Sequence, residues 1–219
     1  MAAAAAVTGR LTDVRAPAGG GVSMEPITRF CAHAVPIDRP NVDTDQITPA
    51  RYLQKPRSAP FGDYLFRDLR FNPDGSEKPD FVLNRPVFRE AKVVVAEDNF
   101  GCGSSREHAV WALYDYGIRT VIAPSFGDIF ASNAAKNGLL TVVLPAPAVK
   151  DMIAALQAEP DLEIAVDLQS QTVSLPNGPA HRFEIDPYRK DLLLNGLDEL
   201  GFTLSQIGRI EDFEKTYAG

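Results

Sequence analysis

Residues 91–145 read AKVVVAEDNFGCGSSREHAVWALYDYGIRTVIAPSFGDIFASNAAKNGLLTVVLP, and this stretch decides the fold. Its three apolar runs predict buried strands, and the two segments between them predict helices, the first from Ser104 to Gly117 and the second ending at Gly138. The predicted strands are 92–96, 118–125 and 139–145. Strands that alternate with helices of about 10 residues form βαβ units, which build a parallel sheet buried on both faces. The stretch therefore predicts an α/β core.

The regions on either side of this core follow other patterns. Residues 27–37 alternate loosely between apolar and polar side chains. Residues 146–186 predict a helix followed by three short strands, which indicates an antiparallel part. The tail, 187–217, predicts helices broken at Gly196 and Gly201. The leucines of the tail that we expect to pack are Leu192, Leu193, Leu194, Leu197 and Leu200.

Composition and charge exclude several classes of protein. With 22 basic and 29 acidic side chains the net charge is −7, so we expect no binding to nucleic acid or to an anionic membrane. No apolar run approaches the roughly 20 residues of a membrane-spanning helix. The two cysteines, Cys31 and Cys102, are too few for a disulfide framework and indicate a reducing compartment, for which we expect the cytoplasm. The remaining expectation is a small-molecule substrate.

The beginning of the chain differs in composition from the rest. Residues 1–23 are rich in Ala and Gly and lack the apolar centre of a secretory signal. We interpret them as a disordered extension, with an organelle transit peptide as the alternative and Met24 as an alternative start. Residues 24–219 are predicted to form a single domain.

The loop after the first predicted strand carries the residue types of an anion site. Residues 99–108 read NFGCGSSREH, and loops at the carboxyl ends of parallel strands are where α/β sheets bind ligands. Gly101 and Gly103 allow the backbone to approach a ligand, and a helix N-terminus favours negative charge. Arg106 adds a forked, permanently charged donor suited to a carboxylate. The loop therefore predicts a site for a carboxylate or a phosphate.

Known nucleotide and nucleophile motifs do not fit this loop. A phosphate-binding P-loop requires a lysine, which the loop lacks. The dinucleotide fingerprint requires a third glycine where Arg106 stands, and the nucleophile elbow of hydrolases requires a second glycine where Glu107 stands. The loop is therefore an anion site of another kind.

A second polar segment precedes the core. Residues 41–53, NVDTDQITPARYL, carry amide and acidic side chains at alternate positions, as a calcium loop does. Gln46 stands where such a loop needs glycine, and Tyr52 stands where it needs glutamate. We predict a structured loop held by hydrogen bonds from side chains to the backbone, and no metal site.

Each candidate residue also has a purely structural interpretation. Ser104 followed three residues later by Glu107 matches a capping box, which stabilises a helix start. Arg106 is compatible with a solvated helix position and His108 with a hydrogen-bonded structural histidine. A cysteine such as Cys102 most often packs in the core as a small apolar residue.

Taken together, these segments resemble a known family. The run GCGSSREHA resembles the signature of the smaller, mobile domain of the aconitase superfamily, and NVDTDQITPARYL, SFGDIFASNAAKNGLL and LNGLDELG agree with it. The resemblance covers residues 26–217 and is closer to the small subunits of 3-isopropylmalate dehydratases. It implies an α/β swivelling domain of three layers, β/β/α, with a mainly parallel sheet and a smaller antiparallel layer.

The resemblance also implies an activity. A hydro-lyase of leucine biosynthesis removes water from 2-isopropylmalate to give 2-isopropylmaleate, and rehydration yields 3-isopropylmalate. Activity is implied only with a partner large subunit that carries a 4Fe–4S cluster. Two cysteines cannot supply the three thiolates of such a cluster, so we expect no cofactor and no metal in this chain. The alternatives are the small subunit of a homoaconitase or of a methylmalate-type dehydratase, or a non-catalytic anion-binding module.

Residue roles follow from the same resemblance. Ser104 matches the family's catalytic serine base. The implied substrate-binding residues are Gly103, Ser105, Arg106, Tyr52 and Leu53. Leu53 is the candidate for apolar contact with the isopropyl group. Residues 56–60 depart from the family's loops, which leaves the substrate contacts there open.

Overall fold

The computed structural model describes residues 24–217 and confirms the predicted α/β class. The predicted extension at residues 1–23 lies outside the described part. The strands are β1 (Arg29–Ile37), β2 (Val93–Ala96), β3 (Thr120–Ala123), β4 (Leu140–Val143), β5 (Glu163–Asp167), β6 (Thr172–Ser174) and β7 (His181–Arg182). The α-helices are α1 (Thr44–Ile47), α2 (Arg67–Arg70), α3 (Glu107–Tyr116), α4 (Asp128–Lys136), α5 (Ala146–Ala158), α6 (Pro187–Asn195), α7 (Glu199–Ser205) and α8 (Ile207–Tyr217). Within the described residues, no helix has the length and apolarity needed to cross a membrane.

Strand β1 joins a parallel and an antiparallel half of one sheet. In the described part of the chain the strand order is β4-β3-β2-β1-β5-β6-β7. Residues 34–37 of β1 pair in parallel with β2, and residues 29–33 pair antiparallel with β5. Strands β3 and β4 extend the parallel half, and β6 and β7 extend the antiparallel half. The predicted parallel core and the smaller antiparallel part are both present, and they share β1.

Strands β2 and β3 are buried on both faces, as their continuous apolar runs predict, whereas the edge strand β4 leaves Val143 52% exposed. In β2, Val93 and Val95 belong to one hydrophobic cluster, while Val94 and Ala96 belong to the other. This division follows the two-residue period of a strand. The first cluster includes residues of α5 and of the antiparallel strands, and the second includes residues of α3, α4 and the long segment before β2. The sheet thus has a core on each side.

The long segment between α1 and β2 is packed onto the second core. Phe61, Phe66 and Phe88 are at most 1% exposed there. Arg70 is also buried, and its Nε donates to the Asn84 Oδ1 at 3.2 Å. The Asn84 amide in turn donates to the Arg70 carbonyl oxygen at 2.7 Å, so the buried polar groups have partners. The segment therefore forms a firm wall beside the sheet.

Two predicted helix boundaries are wrong. Helix α3 begins at Glu107 rather than at Ser104, because Arg106 keeps an extended backbone, with φ −79° and ψ 105°. The tail is broken at Gly196, as predicted, but α7 continues through Gly201. The Gly201 N–H donates to the Asp198 Oδ1 at 2.6 Å, and this side-chain cap starts α7. One consequence is that Leu200, which we expected to pack, is 60% exposed.

Candidate active site at the loop between β2 and α3

The loop between β2 and α3 is held by backbone hydrogen bonds to its two neighbours. On one side the Gly101 N–H donates to the Val42 carbonyl oxygen at 2.7 Å. On the other side the Gly127 N–H donates to the Phe100 carbonyl oxygen at 2.9 Å. Pairing between adjacent segments therefore continues beyond the ends of β1, β2 and β3. We call residues 99–106 the site loop.

Two glycines permit this close approach. Gly101 has a φ of +72°, and a side chain on it would collide with the ring of Phe130. Gly127 has an ordinary φ of −61°, but a Cβ there would lie 2.5 Å from the Gly101 carbonyl oxygen. The glycine at 101 was predicted to bring the backbone close to a ligand. In the structure it brings the backbone close to α4.

Ser104 is exposed at the surface and is hydrogen-bonded to Thr44. The Thr44 hydroxyl, which is buried, donates to the Ser104 carbonyl oxygen at 3.2 Å, and the two hydroxyl oxygens lie 3.4 Å apart. Glu107 accepts a hydrogen bond from the Asn137 amide at 2.8 Å. The capping-box interpretation of Ser104 and Glu107 is therefore wrong, because both side chains have other partners.

Arg106 is half-buried and paired with Asp45. Its Nη1 donates to the Asp45 Oδ1, which also accepts the Ala50 N–H at 2.8 Å. The hydrogen bond from Arg106 is the main reason that the pKa of Asp45 lies below its usual value. The solvated interpretation of Arg106 is therefore wrong. Its guanidinium is oriented through one nitrogen, and two more nitrogens carry donors for a ligand carboxylate.

The turn that contains Tyr52 and Leu53, which we predict to bind the substrate, lies beside the first turn of α3. Tyr52 stacks on Tyr64, with ring centroids 4.0 Å apart. The backbone of Leu53 contacts the His108 imidazole, whose centroid is 4.5 Å from that of Trp111. Burial lowers the pKa of His108, and the Leu53 contact opposes that shift. His108 is thus a partly buried histidine whose charged form is disfavoured.

The predicted site residues fall into two adjoining groups. Gly103, Ser104 and Ser105 are exposed on the site loop, with the half-buried Arg106 next to them. Tyr52 and Leu53 are half-buried in the short 3-10 turn that contacts the start of α3. The structure therefore places the loop predicted to bind an anion and a partly apolar turn at the same end of α3.

Sequence reasoning missed Thr44 and Asp45 as parts of the site. Both follow β1, whereas the site loop follows β2, and neighbouring parallel strands end at the same edge of a sheet. The pairing of β1 with β2 was the signal that could have found them. The loose alternation of residues 27–37 does not reveal this pairing, because it does not identify the neighbour of β1.

The segment that resembled a calcium loop uses its oxygens to hold its own backbone. Asp43 Oδ1 accepts the Gln46 N–H at 2.7 Å, and Asp45 Oδ1 accepts the Ala50 N–H at 2.8 Å. This agrees with the prediction of a structured loop. Within residues 24–217, no group of three or more His, Cys, Asp and Glu side chains is arranged to hold a metal ion.

Comparisons with known proteins match nearly all of the described chain. A family model for the aconitase C-terminal domain matches residues 24–147, and the LeuD_N model matches residues 151–187. A 3-isopropylmalate dehydratase small subunit from Rhodospirillum centenum is 50% identical, over 87% of this chain and 94% of its own length. The chain belongs to the 3-isopropylmalate dehydratase small-subunit family.

Other members of this family agree. The 3-isopropylmalate dehydratase small subunit of Phenylobacterium zucineum is 51% identical, over 87% of this chain and 94% of its own length. The crystal structure of a 3-isopropylmalate dehydratase from Methanocaldococcus jannaschii superposes with a TM-score of 0.61 at 26% identity. It covers 85% of this chain and 99% of its own. That dehydratase structure therefore shares the fold of this chain.

The contact between Gly127 and Gly101 predicts an unusual sensitivity to one methyl group. We expect Gly127→Ala to lower the free energy of unfolding by about 1–3 kcal/mol, because backbone atoms of the site loop must move. Gly208→Ala is the matched control, since the space around Gly208 is open, and we expect it to be neutral or to stabilise α8 by up to about 1 kcal/mol. Urea unfolding measures both; equal effects would contradict the role of the contact.

The partly buried His108 predicts a loss of stability in acid. Its folded pKa lies below the ordinary 6.5, so the unfolded chain binds more protons as the pH falls below that value. Stability from this group is therefore complete above about pH 6.5 and declines as the pH falls through the folded pKa. We expect His108→Gln to lose less unfolding free energy than wild type between about pH 7.5 and about pH 5.0 in urea titrations. An equal loss in His108→Gln and wild type would contradict this role of His108.

Proposed function

We propose that this chain is the small subunit of a 3-isopropylmalate dehydratase, which interconverts 2-isopropylmalate and 3-isopropylmalate through 2-isopropylmaleate in leucine biosynthesis. Relatives that are 45–51% identical are 3-isopropylmalate dehydratase small subunits, which supports this substrate over that of a homoaconitase or a methylmalate-type dehydratase. The observation that carries the proposal is that an exposed serine, Ser104, and an oriented arginine, Arg106, lie on the same loop at the carboxyl end of β2.

Ser104 acts as the base that removes the carbon-bound proton of the substrate. A serine hydroxyl is too weak an acid to ionise freely at neutral pH, so its alkoxide needs nearby positive charge. The guanidinium of Arg106 and the N-terminus of α3 supply that charge. Thr44 positions the serine through its hydrogen bond to the Ser104 carbonyl oxygen.

Ser105, Arg106 and the backbone at Gly103 hold a carboxylate of the substrate. Asp45 fixes Arg106 through Nη1 and leaves the other guanidinium nitrogens for the ligand. Because its low pKa keeps Asp45 ionised, this orientation is maintained at neutral pH. Holding the carboxylate in one place orients the carbon-bound proton toward Ser104.

Leu53 and Tyr52 recognise the alkyl group of the substrate. Leu53 offers apolar surface beside the start of α3, and the stack of Tyr52 on Tyr64 gives this turn a defined shape. An isopropyl group is recognised by shape and apolar contact, because it has no polar atoms. This turn is therefore the source of specificity among alkylmalates.

The site needs a second chain. Removal of hydroxide needs a Lewis acid, and two cysteines are fewer than the three thiolates that a 4Fe–4S cluster requires. We place the cluster on a large-subunit partner, where it supplies the Lewis acid for the departing hydroxyl. The low cysteine content also supports a cytoplasmic location.

The proposed base predicts a specific loss of turnover. With a co-expressed large subunit and anaerobically reconstituted cluster, we expect Ser104→Ala to reduce kcat by about 10²-fold or more, because the proton acceptor is absent. The assay follows the absorbance of 2-isopropylmaleate. Ser170→Ala, in the turn between β5 and β6, is the control and should match wild type. Full activity of Ser104→Ala would disprove the base, and no turnover of any 2- or 3-alkylmalate by wild type would disprove the proposed function.

The carboxylate grip predicts an effect on substrate binding. We expect Arg106→Lys to raise KM about tenfold or more, because lysine keeps the charge but cannot reproduce the guanidinium fork. Arg89→Lys, which alters a surface pair with Glu77, should leave KM unchanged. Steady-state kinetics of both variants in the reconstituted complex test this. A KM equal to that of wild type for Arg106→Lys would rule out binding of the substrate carboxylate by Arg106.

A further inference from the structure

The exposed apolar side chains are concentrated at the C-terminal end of the described chain. Among residues 24–217, nine large hydrophobic side chains are exposed, and six of them lie between residues 200 and 217. These six are Leu200, Leu204, Ile207, Ile210, Phe213 and Tyr217. We call them the C-terminal stripe. Single exposed apolar residues are ordinary, but a group of this size marks an interaction surface.

The stripe lies on one side of its helices. In α8, the spacings from Ile207 to Ile210, Phe213 and Tyr217 are three, three and four residues, which places all four on one face. In α7, Leu200 and Leu204 are four residues apart and also share a face. The rings of Phe213 and Tyr217 stack with centroids 5.6 Å apart. The apolar face is therefore continuous along α8.

Helix α8 makes little use of this face within its own chain. No residue of α8 is buried. A helix of 11 residues is marginal in water unless an apolar face packs against something. Phe213 is 64% exposed and Tyr217 is 81% exposed, so their apolar surface remains in contact with solvent. Its exposed apolar face is of the kind that binds in a hydrophobic groove on another molecule.

The stripe begins next to the candidate active site. Leu200 lines a cavity of about 390 Å³ together with Glu107 and Trp111 of α3. The Glu199 carboxylate pairs with Lys136 at 2.8 Å, which ties the start of α7 to α4. Glu107 directly follows Arg106 of the site loop. A partner that covers the site loop to complete the active site therefore also reaches the start of the stripe.

We propose that the C-terminal stripe docks into an apolar groove with a basic rim on the large subunit. This rests on the proposed function, which requires a partner over the site loop. Residues 198–217 contain five acidic and two basic side chains, in a chain of net charge −7. Pairing of two copies through this surface would bring acidic flanks together, whereas a basic rim would complement them. Charge and position both favour the large subunit over a second copy.

The test measures assembly separately from turnover. The labelled full chain is titrated with cluster-loaded large subunit, and fluorescence anisotropy gives the Kd. We expect Phe213→Asp to raise the Kd about 30-fold or more, because a charge enters the centre of a desolvated contact. Gly208→Asp is the matched control: it adds the same charge on the opposite face of α8, where the space around Gly208 is open, and its Kd should stay within about threefold of wild type. Phe213→Ala, with no added charge, should weaken assembly in the same direction.

The outcomes separate this proposal from the proposed function. If Phe213→Asp assembles as tightly as wild type while the wild-type complex isomerises 2-isopropylmalate, the docking surface is wrong and the function stands. If Phe213→Asp only disperses a self-associated form of the isolated chain and leaves assembly intact, the occupant is a second copy and the proposal is overturned. Failure of wild type to bind the large subunit would overturn both. Thermal unfolding of each variant establishes that it is folded.

Discussion

The candidate site depends on backbone hydrogen bonds that continue beyond the ends of the parallel strands. The site loop leaves β2 between the segment after β1 and the segment after β3, and it is bonded to both. Such bonds leave no space for side chains at Gly101 and Gly127. They also fix where the chain can turn into α3. Every polar side chain of the site is placed relative to this framework, so its geometry is set by the sheet edge.

This framework explains how a loop exposed to solvent keeps its polar groups in order. Thr44 is buried beneath the site loop and bonds to Ser104, and Asp45 beside it bonds to Arg106. Both come from the short helix α1, whose start is capped by Asp43. Ser104, which acts on the substrate in the proposed mechanism, is thus exposed, while Thr44, which positions it, belongs to the packed layer below. The site therefore has a rigid support and an open face.

The open face of the site and the C-terminal stripe are both surfaces that a partner chain covers in our proposals. Its cores on both sides of the sheet are complete, so the domain has the packing it needs to fold. Its catalytic apparatus is incomplete, since the chain holds a carboxylate and accepts a proton but has no Lewis acid of its own in the proposed mechanism. An apolar stripe beside such a site is what a subunit that is completed by another chain requires.

The sequence by itself determined the alternation of strands and helices and, through its resemblance, the family, and it supplied the prediction of an anion site in residues 99–106. These features depend on local periodicity, on residue chemistry and on contiguous motifs, all of which can be read along one segment. Only the tertiary structure decided that Ser104 rests on Thr44, that Arg106 is oriented by Asp45 and that Leu200 is exposed. These contacts join segments about 60 residues apart or depend on how a helix packs, and they follow from the pairing of β1 with β2, which no local pattern in the chain specifies.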